Sequence, residues 1–324
     1  MNRAKDDRPI ANTSPAGLRE DRNLGYVLMT AAHNEEANIE QTIKSVLSQT
    51  LLPTKWVIAS DGSTDKTDEI VQEWADKYSL IHFLRITRPP GRSFKSKVLA
   101  LRRAEELFNG IAWKFIGNLD ADVCVGSSYF EELLAHFKNR PDLGIAGGFI
   151  YCQESDGEFH SQSFSSTRWV AHAAQLVRRE CYEAIGGYAV LEYGGEDWYA
   201  ETSARMNGWQ AEALPQLRVL HYRRVGSRQS LLRYHFRAGR MDYSLGSYPP
   251  FEIVKCFRRL SKPPILLGGL TRLAGFMVSW LVRDKRPVPD EFVAFLKKDQ
   301  GRRLLSCFTK VPQSMLNHER PPAE

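Results

Sequence analysis

The sequence predicts an α/β protein, with a mixed, mainly parallel sheet flanked by helices and a basic helical extension at its C-terminal end. Three observations predict it. From Tyr26 onward, short apolar runs alternate with segments of helical periodicity. Polar clusters fall where apolar runs end, and positive charge collects in the last third of the chain. The 324 residues, 43% hydrophobic and 25% charged, suffice for one large domain with an appendage and exclude general disorder.

Residues 1–24 mix charge with Pro9, Pro15 and Gly17 and carry no apolar run, so a flexible tail is expected there rather than a signal peptide or an anchor. Tyr26 to Ala31 reads as a strand, Asn38 to Ser48 as a helix, Lys55 to Ser60 as a strand and Asp65 to Lys77 as a helix. Ile81 to Ile86, Lys97 to Phe108 and Trp113 to Leu119 continue the alternation as strand, helix and strand. Crossovers between parallel strands are right-handed, and ligands of open α/β sheets bind beyond the carboxyl ends of the strands. Function is therefore expected just after each strand.

Three polar clusters stand there: His33-Asn34-Glu35-Glu36, Asp61-Gly62-Ser63-Thr64-Asp65 and Asp120-Ala121-Asp122. Each has an ordinary structural explanation. Asp-Gly followed by Ser, Thr and Asp makes a turn and a helix cap, and Asn-Glu-Glu suits the positive end of a helix dipole. Asp120 and Asp122 alternate with an apolar residue, so in extended backbone both carboxylates point to one side. At about 4 Å and an effective dielectric near 20 they repel by roughly 4 kcal/mol, which a divalent cation converts into attraction. Two solvated loop carboxylates that never meet is the alternative.

Together these motifs carry a resemblance: residues 26 to about 225 resemble the family 2 glycosyltransferases, whose GT-A fold binds a nucleotide-sugar and a divalent metal. Asn34-Glu35-Glu36 resembles the family's segment after its first strand, and Asp61 to Asp65 its Asp-Gly-Ser-x-Asp element. The resemblance implies that Glu35 and Asp61 contact the base and ribose of a UDP- or GDP-sugar. Ser96-Lys97-Val98-Leu99-Ala100 stands where the family carries Gly-Lys-x-x-Ala, which makes Lys97 a donor-site candidate. Asp122 is implied as a ligand of Mn²⁺ or Mg²⁺, and Asp120 as a donor or metal contact. His221, at the end of an apolar run, is a candidate further ligand, although a lone histidine there is also explained by a backbone hydrogen bond. Ala31 replaces the family's usual Pro and Ser60 its first aspartate; neither change removes a group the chemistry needs.

Gly186-Gly187-Tyr188, Gly194-Gly195-Glu196-Asp197-Trp198 and Arg205-Met206-Asn207-Gly208-Trp209 also follow the family's order. Inverting transfer needs a carboxylate that takes the acceptor hydroxyl's proton, a task worth about 10²–10⁴-fold. Asp197 is the candidate, with Glu196 and Trp198 orienting the acceptor; opening a helix with favourable charge is the alternative for the acidic pair. Polymerising relatives carry Gln-x-x-Arg-Trp, whereas Gln229-Ser230-Leu231-Leu232-Arg233-Tyr234 has one residue too many and Tyr for Trp. Single-sugar, non-processive addition to a lipid-linked or growing bacterial surface glycan is the resulting expectation. A nucleotidyltransferase and a non-catalytic membrane adaptor with a nucleotide-sugar pocket are the competing classes.

The expected division is a transferase domain over residues 25–225 and a helical extension over 226–324 that faces acceptor and membrane. The formal charge of +6 is unevenly spread: residues 215–324 hold 21 Lys and Arg against 8 Asp and Glu, leaving 23 against 30 before them. Such asymmetry points to an anionic surface. Ile265 to Val282 is apolar apart from Thr271, Arg272 and Ser279, and as a helix would reach about 27 Å against a hydrocarbon core near 30 Å. Arg272 at its centre and Gly268, Gly269 and Gly275 oppose spanning, so a helix in the membrane interface is expected, bracketed by Lys255, Arg258, Arg259 and Lys262 and by Arg283, Lys285 and Arg286. A buried core hairpin is the alternative. Phe292, Phe295 and Leu296 followed by Lys297, Lys298, Arg302 and Arg303 read as a second basic amphipathic stretch. Nucleic acid is not expected, because the cations interleave with aliphatic residues rather than stacking aromatics. The odd count of five cysteines without a CxxC pair suits free thiols, hence a location at the cytoplasmic face of the cell membrane, peripheral or monotopic.

Overall fold

The computed structural model describes residues 25–87, 95–154, 156–161, 167–222 and 231–309. The expected tail, the boundary at 225/226, and Gln229 and Ser230 lie outside the described residues. The chain opens with β1 (Tyr26–Ala32), α1 (Ile39–Leu47), β2 (Lys55–Asp61), α2 (Thr67–Lys77), β3 (Ile81–Ile86), α3 (Lys95–Glu106) and β4 (Phe115–Leu119). The four strands pair in parallel in the order β3-β2-β1-β4, as the alternation predicts.

All of β4 and all but one residue of β1 are buried, the pattern of strands covered on both faces. The period of two divides their side chains between two cores. Tyr26 and Leu28 pack with Ile39, Ile43 and Val71 on one face, while Val27 and Met29 pack with Val98, Leu101 and Ala104 on the other. Helices α1 and α2 therefore cover one side and α3 the other.

The second half supplies β5 (Val123–Val125), α4 (Tyr129–Asn139), β6 (Leu143–Gln153), β7 (Phe159–Ser161), β8 (Ala174–Arg178), α5 (Arg179–Ala184), α6 (Glu196–Met206) and β9 (Gln210–His221). The sheet continues from β4 through β8, β6 and β9 to β5, with β7 at the side of β6. β8 runs antiparallel to both its neighbours, and β9 runs parallel to β6 and antiparallel to β5. The sheet is mixed, and β5, which follows β4, pairs with the end of β9 and so links the ends of those two strands.

Four helices follow: α7 (Leu231–Ser244), α8 (Pro249–Arg259), α9 (Leu267–Leu281) and α10 (Asp290–Thr309). The apolar side of the basic amphipathic stretch, with Phe292 and Leu296, faces protein rather than a membrane surface. Both are buried in a cluster with Leu191, Leu245 and Val293, and the Phe292 ring lies 4.7 Å from that of Tyr199 in α6. The apolar face of α10 covers α6, and its lysines Lys297 and Lys298 stay in water. No helix among the described residues is long and apolar enough to cross a membrane.

Candidate active site

The loops after β1 and β2 are latched to one another by backbone donors and side-chain acceptors. Asn34 N donates to Ser63 Oγ at 3.2 Å, and Thr64 N returns a bond to Asn34 Oδ1 at 2.8 Å. Glu36 N donates to Asp65 Oδ2 at 3.1 Å, and Lys66 N to Glu36 Oε2 at 3.0 Å. Asp65 is thus a structural clasp. Hydrogen bonds from Thr67 and from the Glu36 amide hold its carboxyl below the usual range, against a burial effect that acts the other way. Within this clasp Glu35 and Asp61 are buried, with the Glu35 amide bound to Thr67 Oγ1 at 2.8 Å and the Asp61 carbonyl 2.7 Å from His33 Nδ1.

At the end of β4, Asn118 Nδ2 donates to Asp120 Oδ1 at 3.0 Å and to the His172 carbonyl. The Lys97 ammonium lies 2.7 Å from the same Asp120 oxygen. Asp122 takes a different partner, with its Oδ1 3.2 Å from His221 Nε2. The pairing of β5 with β9 causes this meeting, because Val123 stands opposite His221 in the antiparallel register. The other ring nitrogen, Nδ1, lies 3.7 Å from Cys152 Sγ. Burial lowers the proton affinity of His221, but the Asp122 and Cys152 contacts prevail and push it up to about 10.

Asp120 and Asp122 take different partners, Lys97 and His221, while the Asp120 charge also acts on His221. Among the described residues no group of three or more His, Cys, Asp and Glu side chains forms a metal-ligating cluster. Asp122, with His221 once it gives up the proton that the pair now holds, fits a divalent cation that takes its remaining ligands from phosphate oxygens and water. Carboxylate and imidazole are both ligands for Mn²⁺, and such cations are commonly held by one or two protein groups plus substrate phosphates.

The third part of the site is the start of α6. Gly195 precedes it with φ 93, and a Cβ there would lie 2.8 Å from Met241 Sδ of α7. Left-handed backbone and the close approach of α7 both require glycine at this turn. Asp197 Oδ1 accepts from its own Trp198 N at 2.7 Å, so the acidic pair does open the helix. Burial, then the neighbouring Glu196, raises the Asp197 carboxyl to about 6. Lys97 links this turn to the strand ends. Burial alone would weaken its proton, yet Asp120, Glu196 and Asp197 together hold it firmly as a cation. Trp198 packs against the Leu191, Leu245 and Phe292 cluster, which is a packing position at the root of α6.

Two residues beneath the site have no place in the sequence-derived set. Asn118 is fully buried and orients Asp120; its signal was a polar residue in an apolar strand, two before Asp120 and therefore on the same side. His172 is buried edge-on to Tyr188 at 4.4 Å, with Nε2 lacking a partner among the described residues. Burial and the Lys97 charge hold its imidazole neutral, and no pattern in the sequence marked it.

Comparison with known proteins follows the same lines. The family model described as Glycosyl transferase family 2 matches residues 28–193, a span that holds the β1, β2 and β4 loops and ends before Asp197 and His221. An uncharacterized glycosyltransferase of Methanocaldococcus jannaschii is 24% identical over 139 residues, 42% of this chain and 45% of that protein. The poly-beta-1,6-N-acetyl-D-glucosamine synthase of Staphylococcus epidermidis is 28% identical over 129 residues, 38% of this chain and 28% of the synthase. The chain thus spans less than half the length of these relatives. Among solved structures, the mannosyltransferase PcManGT of Pyrobaculum calidifontis, in complex with GDP-Man and Mn²⁺, superposes with a TM-score of 0.51 at 16% identity, over 88% of this chain and 81% of that one. GalNAc-T7 with UDP, GalNAc and Mn²⁺ gives 0.55 at 16% identity, over 89% and 59%. At these identities the likeness is one of fold.

Proposed function

Because the chain belongs to glycosyl transferase family 2 and is a glycosyltransferase, we propose that it transfers a single sugar, with inversion, from a UDP- or GDP-sugar to a hydroxyl of a lipid-linked or polysaccharide acceptor in cell-surface glycan synthesis. The observation that carries this reading is Lys97. Its ammonium pairs with Asp120 at the end of β4 and feels the charges of Glu196 and Asp197 at the start of α6, so donor-side and acceptor-side carboxylates surround one cation. The polysaccharide synthase among the relatives supports the glycan assignment, and the nucleotide-sugars and Mn²⁺ held by the fold neighbours support the donor class. The free thiols of Cys124, Cys152, Cys181 and Cys256 suit the cytoplasmic face of the cell membrane.

In this mechanism Glu35 and Asp61, fixed in the clasp between the first two loops, hold the base and ribose. Asp122 and His221 would hold a divalent cation, Mn²⁺ or Mg²⁺, which supplies Lewis-acid neutralisation of the diphosphate when bound. Lys97, with Asp120 fixed by Asn118, adds positive charge on the donor side. As the acceptor oxygen forms its bond to the anomeric carbon, the bond to the diphosphate oxygen breaks on the opposite face. The nucleoside diphosphate leaves with the electron pair, and Asp197 takes the hydroxyl proton through the oxygen not engaged by Trp198 N. Glu196 adjoins this position and orients the acceptor; Trp198 acts by anchoring the turn.

The test is donor binding and slow donor hydrolysis across UDP-, GDP- and dTDP-sugars, with Mn²⁺, Mg²⁺ or EDTA, on the wild type and Asp122→Ala. Metal-dependent binding of one donor, with release of its nucleoside diphosphate and loss of both in the variant, is the expected result. Binding of no donor with any metal would remove the catalytic reading and leave a non-catalytic adaptor; donor binding indifferent to EDTA would remove the metal.

A further inference from the structure

Helices α8 and α9 are built inside out. Along α9, Gly268, Gly269, Gly275, Phe276 and Ser279 are buried and the Arg272 side chain is only 11% exposed. Leu267, Leu270, Met277, Val278, Trp280 and Leu281 of the same helix are exposed to water. Helix α8 repeats the inversion, with Glu252 fully buried while Ile253 and Phe257 face outward. A surface helix in water does the reverse.

The inward polar face holds a cluster of opposed charges. Arg272 Nε donates to Glu252 Oε1 at 3.0 Å and its Nη2 to Asp242 of α7, whose other oxygen lies 2.9 Å from Lys255 Nζ. Two carboxylates and two cations neutralise each other, so the arginine that opposes burial in lipid by sequence is turned into the protein. Arg272, which by sequence opposes a span, faces protein here, and the outward face of α9 carries no charge.

That face continues beyond the helix through the exposed Ile265, Leu266 and Val282. Its rim is basic, formed by the exposed Arg258, Lys262, Arg283, Lys285 and Arg286. The one carboxylate between residues 253 and 286 is Asp284, which is paired with Arg240 at 2.7 Å. A two-fold contact between copies of this chain would set cationic rim against cationic rim. An anionic lipid surface offers an apolar interior and the opposite charge. At 15 residues, about 22 Å by the rise of an α-helix, α9 is too short for a hydrocarbon core near 30 Å.

We propose that the outward face of α8 and α9 docks this protein onto an anionic lipid surface, lying in the interface with its apolar side chains at the acyl boundary and the basic rim on the headgroups. The proposal does not rest on the reaction assigned above: vesicle binding and donor binding can each fail alone.

The test is co-sedimentation of the full chain with vesicles of phosphatidylcholine alone and of phosphatidylcholine mixed with phosphatidylglycerol, at low and high salt. The wild type is expected to partition onto the anionic vesicles and to be released by salt. Leu270→Glu with Leu281→Glu, and separately Arg283→Glu with Lys285→Glu, should each reduce partition by about tenfold or more while the melting temperature is retained. Wild-type protein left in the supernatant overturns the proposal. Light scattering then identifies what covers the face: a dimer split by Leu281→Glu assigns it to a second copy, and a monomer to other residues of the chain. Binding that survives both pairs of substitutions overturns it equally, by placing the lipid contact elsewhere.

Discussion

Asp197 has two oxygens and the fold gives one of them to structure. Oδ1 caps the helix through Trp198 N, so the helix-opening and base readings of this residue describe the same side chain. In the proposed reaction the carboxylate must be ionised, and its carboxyl is raised to about 6. The kcat/KM is therefore expected to be flat above pH 6 and to fall about tenfold per pH unit below it. Asp197→Asn should lower kcat by about 10²–10⁴-fold and remove that limb, with donor binding retained by calorimetry. Unchanged turnover would take Asp197 out of the base role. Lys97→Met tests the donor side. The pair with Asp120 is only partly solvated, with side chains 30% and 24% exposed, and Lys97 also offsets Glu196 and Asp197, so loss of the cation should lower stability by about 1–3 kcal/mol in denaturant titration. In the proposed mechanism Lys97 meets the donor, so donor affinity should weaken about tenfold by titration calorimetry. Asp120 and Asp122 were legible because their spacing at a strand end marks them, and Asp197 only through the order of motifs that resembles the family. The separate partners of Asp120 and Asp122 were not, since Lys97 and His221 come from distant elements whose pairing is a property of the folded sheet.

Among the elements, the parallel strands could be read almost to the residue, because strands covered on both faces are apolar runs bounded by polar turns. Predicted boundaries moved by two residues where α3 begins at Lys95 and β4 at Phe115. Helix α9 was harder. Its glycines read as weaknesses of a helix, and in the structure they are its contact face. A Cβ at Gly275 would lie 2.0 Å from the Phe236 carbonyl oxygen, and one at Gly239 would lie 1.9 Å from that of Arg272. Helices α7 and α9 approach so closely that backbone faces backbone. Gly275→Ala is expected to lower stability by about 1–3 kcal/mol or more in denaturant titration, despite its better helix propensity. Asp242→Asn should cost about 3–5 kcal/mol, because it strands Arg272 and Lys255 beside Glu252 alone. A sequence shows that a helix has two faces; it does not show which one meets protein when the charged face finds buried counter-ions. The same limit explains α10, whose apolar stripe needed α6 as a partner before it could be read as core.

At the scale of the whole molecule, the acidic and basic halves are joined rather than merely adjacent. Met241 of α7 closes on Gly195 at the head of α6, Arg237 Nη1 donates to the Tyr193 carbonyl at 2.7 Å, and α10 packs on Tyr199. Carboxylates at the strand ends and the α6 turn make one pole, and the exposed cations around α8 and α9 make the other. A water-soluble acceptor needs only the first pole, whereas an acceptor embedded in lipid is met through both. Screening acts chiefly on exposed charges, with a Debye length near 10 Å at about 0.1 M salt and near 3 Å at about 1 M. Raising salt should therefore lower the transfer rate to a lipid-embedded acceptor in anionic vesicles steeply, while leaving the rate to a short soluble acceptor analogue nearly level. The paired rates, measured on one preparation across the same salt series, separate the surface from the site. Parallel decline of both would mean that salt acts on the donor cleft and that the basic pole contributes nothing to delivery of the acceptor.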